Sequence, residues 1–188
     1  TAQWLLVRNN LEKFKLDYYK PLGNPTKFIH ALIRLFSRAK DEDVWPKDYL
    51  ELTEKFRLNA DSPDFINSFL DTEARQTLNE KQIAELTSQE MHKLTEVSEA
   101  YHVYQKLLLD EGGLDFGDLI SFSLRLLRDR PAVLAKYRQQ FKYILVDEFQ
   151  DTNHAQYELV KLLAGPKNNI TVVGDDDQSI YKFRGASI

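Results

Sequence analysis

With 188 residues, 43% of them hydrophobic, the chain has room for one or two packed domains. Its formal net charge of −4 excludes a broadly basic surface, so any grip on nucleic acid must come from local features. The lack of cysteine excludes disulfides and thiolate metal sites, no apolar run reaches membrane-spanning length, and no signal peptide pattern is present, so a reducing, cytoplasmic setting without a membrane partner is expected.

The chain opens at Thr1, without a methionine, on an amphipathic pattern of Trp4, Leu5, Val7, Leu11 and Phe14. Asn24-Pro25 reads as a cap with proline at the first helical position, ahead of Phe28, Ile29, Leu32, Ile33 and Phe36 on one face. Lys40 to Asp43 is a charged break. Trp45-Pro46 opens a helix carrying Tyr49, Leu52 and Phe56, and Ser62-Pro63 opens another with Phe65, Ile66 and Phe69 inward. A longer helix is predicted from Glu80 to Leu109, with Ile83, Leu86, Leu94, Val97, Tyr101, Tyr104 and Leu108 near heptad spacing. Tyr101 and Tyr104 read as core rather than as a base-stacking platform. His30, His92 and His102 lack metal-ligand spacing and read as structural or exposed. Residues 1–109 are thus expected to form one helical domain.

Gly112-Gly113 ends the long helix, and residues 110–188 are expected to form a second part. Asp115 caps a helix bearing Phe116, Leu119, Ile120, Phe122, Leu124 and Leu127; Pro131 starts one more, ending near Phe141. Two wholly apolar runs follow, Tyr143 to Val146 and Ile170 to Val173. Such runs suit strands buried on both faces of a parallel sheet. Between them, Asn153 to Ala164 has helical spacing and stops at Gly165-Pro166. Strand, helix, strand is a βαβ unit, so the two strands are expected to be parallel neighbours, adjacent or one apart. The fold class is mainly α with a partial α/β part.

Ligands of such sheets bind beyond the carboxyl ends of the strands, where Asp147, Glu148, Asp175 and Asp177 gather. Acids at one edge repel unless a cation or proton relieves them. They read either as solvated loop tips or as a Mg²⁺ site facing phosphate, and the second acidic turn in a matching position favours the latter. The chemistry indicated is nucleoside triphosphate hydrolysis, one carboxylate on the metal and its neighbour activating water.

Val146-Asp147-Glu148-Phe149-Gln150-Asp151-Thr152-Asn153 resembles the Walker B segment of UvrD/Rep-type superfamily I DNA helicases. Val173-Gly174-Asp175-Asp176-Asp177-Gln178-Ser179-Ile180-Tyr181-Lys182-Phe183-Arg184-Gly185-Ala186 resembles their next motif, which couples nucleotide to DNA. Leu114-Asp115-Phe116-Gly117-Asp118-Leu119-Ile120 is similar to the segment where that family's chain returns to its motor domain. The resemblance implies an inserted helical subdomain over 1–109 and, over 110–188, part of a RecA-like ATPase domain. It implies ATP and Mg²⁺ as cofactors, with 3′-to-5′ movement on single-stranded DNA, unwinding at single/double-strand junctions, and a role in DNA repair or replication. Carried over residue by residue, Asp147 and Glu148 serve the metal, Glu148 polarises the attacking water, and Gln178 lies on the γ-phosphate. Gln150 and Asp175 support them. Tyr181, Phe183 and Arg184 are the implied DNA contacts; many relatives show tryptophan where this chain has Phe183.

No Gly-x-x-x-x-Gly-Lys-Ser/Thr occurs, so the sequence lacks the phosphate-cradling loop of that family. The expectation is a piece of a longer protein, inactive alone, with an exposed sheet edge open to self-association. Two other readings stand beside this one: a metal-dependent nuclease using the same acids, and a non-catalytic helical interaction module.

Overall fold

The computed structural model describes residues 1–167, 169–175 and 177. The chain divides into two compact units, residues 1–33 with 45–112, and residues 34–44 with those from 113 onward. It is mainly helical with one small parallel sheet, and among the described residues no helix is long and apolar enough to cross a membrane.

The first unit is built on α6 (Glu80–Asp110), whose Asn79 and Gln82 form a reciprocal capping box. Val97, Ala100, Tyr101, Tyr104, Leu107 and Leu108 make its buried stripe. Tyr104 is wholly sealed from solvent, and its hydroxyl accepts a hydrogen bond from Gln3 Nε2, which resolves the stripe as core. Helices α1 (Ala2–Asn9) and α3 (Pro46–Leu58) pack against α6, and the same unit holds the start of α2 (Ile29–Asp41), α4 (Pro63–Phe69) and α5 (Thr72–Thr77). Pro46 and Pro63 occupy first-turn positions, where a missing N–H costs nothing. Pro25 does not. Asn24-Pro25 opens a run of turns, with Lys27 N–H bonded to Asn24 O, and the α-helix starts only at Ile29. Glu96 of α6 is buried, and its carboxylate accepts the backbone N–H groups of Asp17, Tyr18 and Tyr19.

In the second unit, the end of α2 closes in a left-handed turn. Asp43 has φ 57°, Val44 N–H bonds Ala39 O and Asp43 N–H bonds Lys40 O, so the last carbonyls are satisfied without glycine. Helices α7 (Phe116–Asp129), α8 (Pro131–Gln140) and α9 (His154–Ala164) pack on one another. Asp115 and Asp118 form the capping box of α7, and the buried stripe runs through Asp118, Ser121, Leu124 and Leu127. Phe116 and Leu119 are exposed, Phe116 at 91%.

Strands β1 (Ile144–Val146) and β2 (Ile170–Val172) are adjacent and parallel, with Ile144 opposite Ile170 and Val146 opposite Val172. Helix α9 is the crossover, and it ends at Gly165, where φ is +60°. The strands are not buried on both faces, as such runs suit in a covered sheet; apolar surface is exposed instead, as expected for this chain by itself. Leu145 is 78% exposed and Tyr143 74%, with Val172 and Val173 also open. Alternate strand side chains point to opposite faces, and one βαβ unit lays its helix over a single face.

Candidate functional site

The geometry beyond the two strands is set by backbone pairing that outlasts the sheet. Val173 N–H bonds Val146 O at 2.8 Å, and Phe149 N–H bonds Val173 O at 3.0 Å. The chain after β1 therefore stays against the chain after β2. Asp147 is exposed, and its Oδ1 accepts the Glu148 N–H at 3.0 Å. Glu148 follows with φ 52°, a left-handed conformation that costs a side-chain-bearing residue about 1 kcal/mol or more. A short 3₁₀ turn, Phe149–Asp151, comes next, with Asp151 N–H bonded to Glu148 O.

Gln150 is buried inside that turn. Its Nε2 donates to Glu148 Oε2 at 2.5 Å, and its Oε1 accepts the backbone N–H of Asp175 at 2.9 Å. Asp175 Oδ1 in turn accepts the N–H of Asp177 at 3.1 Å. The structure thus links Glu148, Gln150 and Asp175 in one chain of hydrogen bonds, with Asp147 next to them in sequence. Gln178, Tyr181, Phe183 and Arg184 lie outside the described residues.

The donor set suits a hard divalent cation. Asp147 and Glu148 are neighbouring exposed carboxylates at a strand end. Among the described residues they are not part of a group of three with ligand atoms within 4.8 Å. The group that meets that criterion, Asp17, His92 and Glu96, lies in the first unit. There Glu96 Oε2 takes the N–H groups of Asp17 and Tyr19, while Oε1 takes Tyr18 N–H and lies 3.3 Å from His92 Nδ1. That carboxylate is committed to the backbone, so the cluster is a structural cap.

A second feature was not foreseen from sequence. A cavity of about 860 Å³ in the second unit is lined by Arg34, Arg38, Asp41, Phe116, Asp151 and Asn153, among others. Asn153, the N-cap of α9, donates from Nδ2 to Asp41 Oδ1 at 2.7 Å. Burial pushes the Asp41 carboxyl up to about 6, aided by Glu42 and Asp115 and opposed by Arg38 and the Asn153 bond. Asp151 Oδ1 is buried without a hydrogen-bond partner. In sequence Asp41 sits within a charged break, and nothing local marks a partner 112 residues away.

The family model of the UvrD/REP helicase N-terminal domain matches residues 8–188. Over its whole length the chain is 52% identical to the ATP-dependent DNA helicase PcrA of Leuconostoc citreum, across 190 aligned residues. It is 55% identical to the Bacillus subtilis (strain 168) PcrA and 53% to that of Staphylococcus aureus (strain Mu50), each over 92 residues and 49% of the chain. The chain spans 20%, 12% and 13% of these three relatives in that order.

Proposed function

Because this chain belongs to the UvrD/REP helicase family, we propose that it serves as the Walker B-bearing part of an ATP-dependent DNA helicase. Residues 1–109 are read as the inserted helical subdomain and 110–188 as part of the first ATPase domain. The observation that carries this reading is the placement of Glu148 beside Asp147 at the end of β1, with its carboxylate held by Gln150 against the end of β2.

In this reading Asp147 holds Mg²⁺, with Glu148 beside it; the ion, when bound, neutralises charge on the phosphate oxygens. Glu148 accepts the proton of the attacking water. Gln178 contacts the γ-phosphate, and Asp175 supports the turn that leads to it. Tyr181 and Phe183 stack on bases without reading sequence, and Arg184 meets a backbone phosphate. Phe116, an exposed ring that lines one cavity with Arg34 and Arg38, offers a further stacking surface. The cycle drives 3′-to-5′ movement along single-stranded DNA and separation of strands at junctions, in repair or replication. The bare strand face around Leu145 and Tyr143 is a surface for self-association when the chain stands alone.

The sequence contains no Gly-Lys pair, so the cradle for the β- and γ-phosphates has to be supplied by residues other than these 188. By itself the chain is expected not to turn over ATP. The test is Glu148→Gln in the helicase bearing this segment together with its phosphate-binding loop. The amide keeps the shape but cannot act as a base, so DNA-stimulated hydrolysis is expected to vanish while ATP binding stays close to wild type. Near-normal turnover would overturn the assignment.

A further inference from the structure

Gln150 is the least exposed polar side chain of the strand-end turn, at 6% accessibility, and both ends of its amide are used. The two bonds fix the direction of that amide. A carboxylate oxygen can only accept, so Glu148 requires the NH₂ end; a backbone N–H can only donate, so Asp175 requires the carbonyl end. Neither glutamate nor a hydrocarbon of the same length satisfies both.

Gly174 shows how tightly the two chain segments close on this amide. A β-carbon at position 174 would stand 2.8 Å from Gln150 Oε1 and 3.3 Å from both the Gln150 backbone nitrogen and Phe149 Cβ. The shortest contact is to the amide itself, so a side chain there would displace Gln150 Oε1, while the other two atoms would have to give by a few tenths of an ångström. The Glu148 backbone, meanwhile, sits in a left-handed conformation that surrounding contacts must hold.

We propose that Gln150 is a positioning residue that ties the orientation of the Glu148 carboxylate to the backbone at Asp175, through one amide whose donor and acceptor ends are both committed. The segment beginning at Asp175 continues into the residues assigned above to γ-phosphate and DNA. A displacement of that segment is therefore transmitted to the general base across two hydrogen bonds. Gln150 touches neither substrate nor metal in this role; it acts through Glu148. The inference rests on the helicase reading, and it adds a physical route by which DNA engagement changes the hydrolysis rate.

The experiment uses the full-length helicase with Glu148→Gln, Gln150→Met, Gln150→Glu and Gly174→Ala, measuring ATP hydrolysis with and without single-stranded DNA. Gln150→Met removes both bonds, whereas Gln150→Glu keeps an acceptor for Asp175 and loses the donor to Glu148. Both are expected to lower kcat on saturating DNA by about 10- to 100-fold, the scale of a misplaced reacting group, with KM for ATP changed less than about twofold. The ratio of DNA-stimulated to DNA-free rate should fall towards one. Gly174→Ala should copy this pattern with Gln150 intact, and it decides the matter if Gln150→Met does not fold. A wild-type stimulation ratio in Gln150→Glu and Gly174→Ala, or an effect on KM alone, would overturn the proposal. If Glu148→Gln itself hydrolyses ATP normally, the failure lies with the helicase reading; if Glu148→Gln is dead and the Gln150 variants are normal, it lies here.

Discussion

Lys40 Nζ lies 2.8 Å from Asp118 Oδ1 and 2.7 Å from Asp115 Oδ2, with Lys40 only 3% and Asp118 only 1% exposed. The capping box of α7 is made of two aspartates, which on their own would repel. The ammonium of Lys40, arriving from the last turn of α2, lies against both and offsets their repulsion. Gly117 leaves room for its stem, since a β-carbon there would stand 2.9 Å from Lys40 Cβ and Cδ. The helix start is thus set by a contact across 75 residues of sequence.

Removing that cation leaves the two buried carboxylates without this counter-charge. Lys40→Met is expected to destabilise the start of α7 by about 3–5 kcal/mol, the usual cost of breaking a buried pair from one side. Native-state hydrogen exchange of the α7 amides measures it, and adding Asp115→Asn and Asp118→Asn should recover part of the loss. Unchanged protection in Lys40→Met would show the triad to be energetically idle.

In the first unit, Glu96 stands to three consecutive amides as a charged cap. Glu96→Gln retains the shape but weakens charge-assisted bonds to Asp17, Tyr18 and Tyr19, for an expected loss of about 2 kcal/mol. Both tryptophans of the chain, Trp4 and Trp45, belong to this unit, so their fluorescence during urea unfolding reports it separately. A transition midpoint equal to that of the wild type would refute the assignment.

Features carried by local chemistry were legible in the sequence. Ser62-Pro63, Asp115 and Asn153 mark helix starts because a cap needs only its own first turn, and the long helix runs to Asp110 where the pattern gave Leu109. The two strands and their parallel pairing follow from apolar runs separated by one helix. Asp147, Glu148, Gln150 and Asp175 could be picked out as a group, but not the direction of the Gln150 amide, which depends on a turn packed against another strand's end. Lys40 read only as part of a charged break, because nothing local in the sequence marks a partner 75 residues away. Which strand residues are bare, Leu145 above all, was not legible, because an apolar run says nothing of what lies across the sheet from it. Pro25 read as a helix start, whereas the chain there makes turns that only the packing of Ile29 and Leu32 resolves.

Asp41 gives a pH-dependent prediction. Its folded value of about 6 lies above the ordinary 3.8, so between those limits the folded chain holds a proton that the unfolded chain has released. Stability from this group therefore falls as pH rises through that window and is level above it. Asp41→Asn removes the cost while its Oδ1 still accepts from Asn153. The variant is expected to be more stable than wild type by about 1 kcal/mol at pH 7, after allowing for solvent screening of a half-exposed group. The difference should vanish near pH 4. Paired urea titrations at the two pH values check it, and a gain that persists in acid would mean that charge is not the cause.

The DNA contacts proposed at Tyr181, Phe183 and Arg184 can be separated by salt. Each phosphate neutralised by a cationic side chain adds about one to the slope of log affinity against log salt, whereas a stacked base adds none. In the full-length helicase, Phe183→Ala and Tyr181→Ala should each weaken single-stranded DNA binding by about 1–3 kcal/mol with little dependence on base sequence. Stacking releases no counterions, so the slope of log affinity against log salt should stay as in wild type. Arg184→Ala, by contrast, should flatten that slope by about one if its guanidinium meets a phosphate. Affinities measured by anisotropy across a salt series distinguish the two behaviours. Unchanged affinity in both aromatic variants at matched salt would return those rings to the protein core and leave the family's DNA contact to other residues.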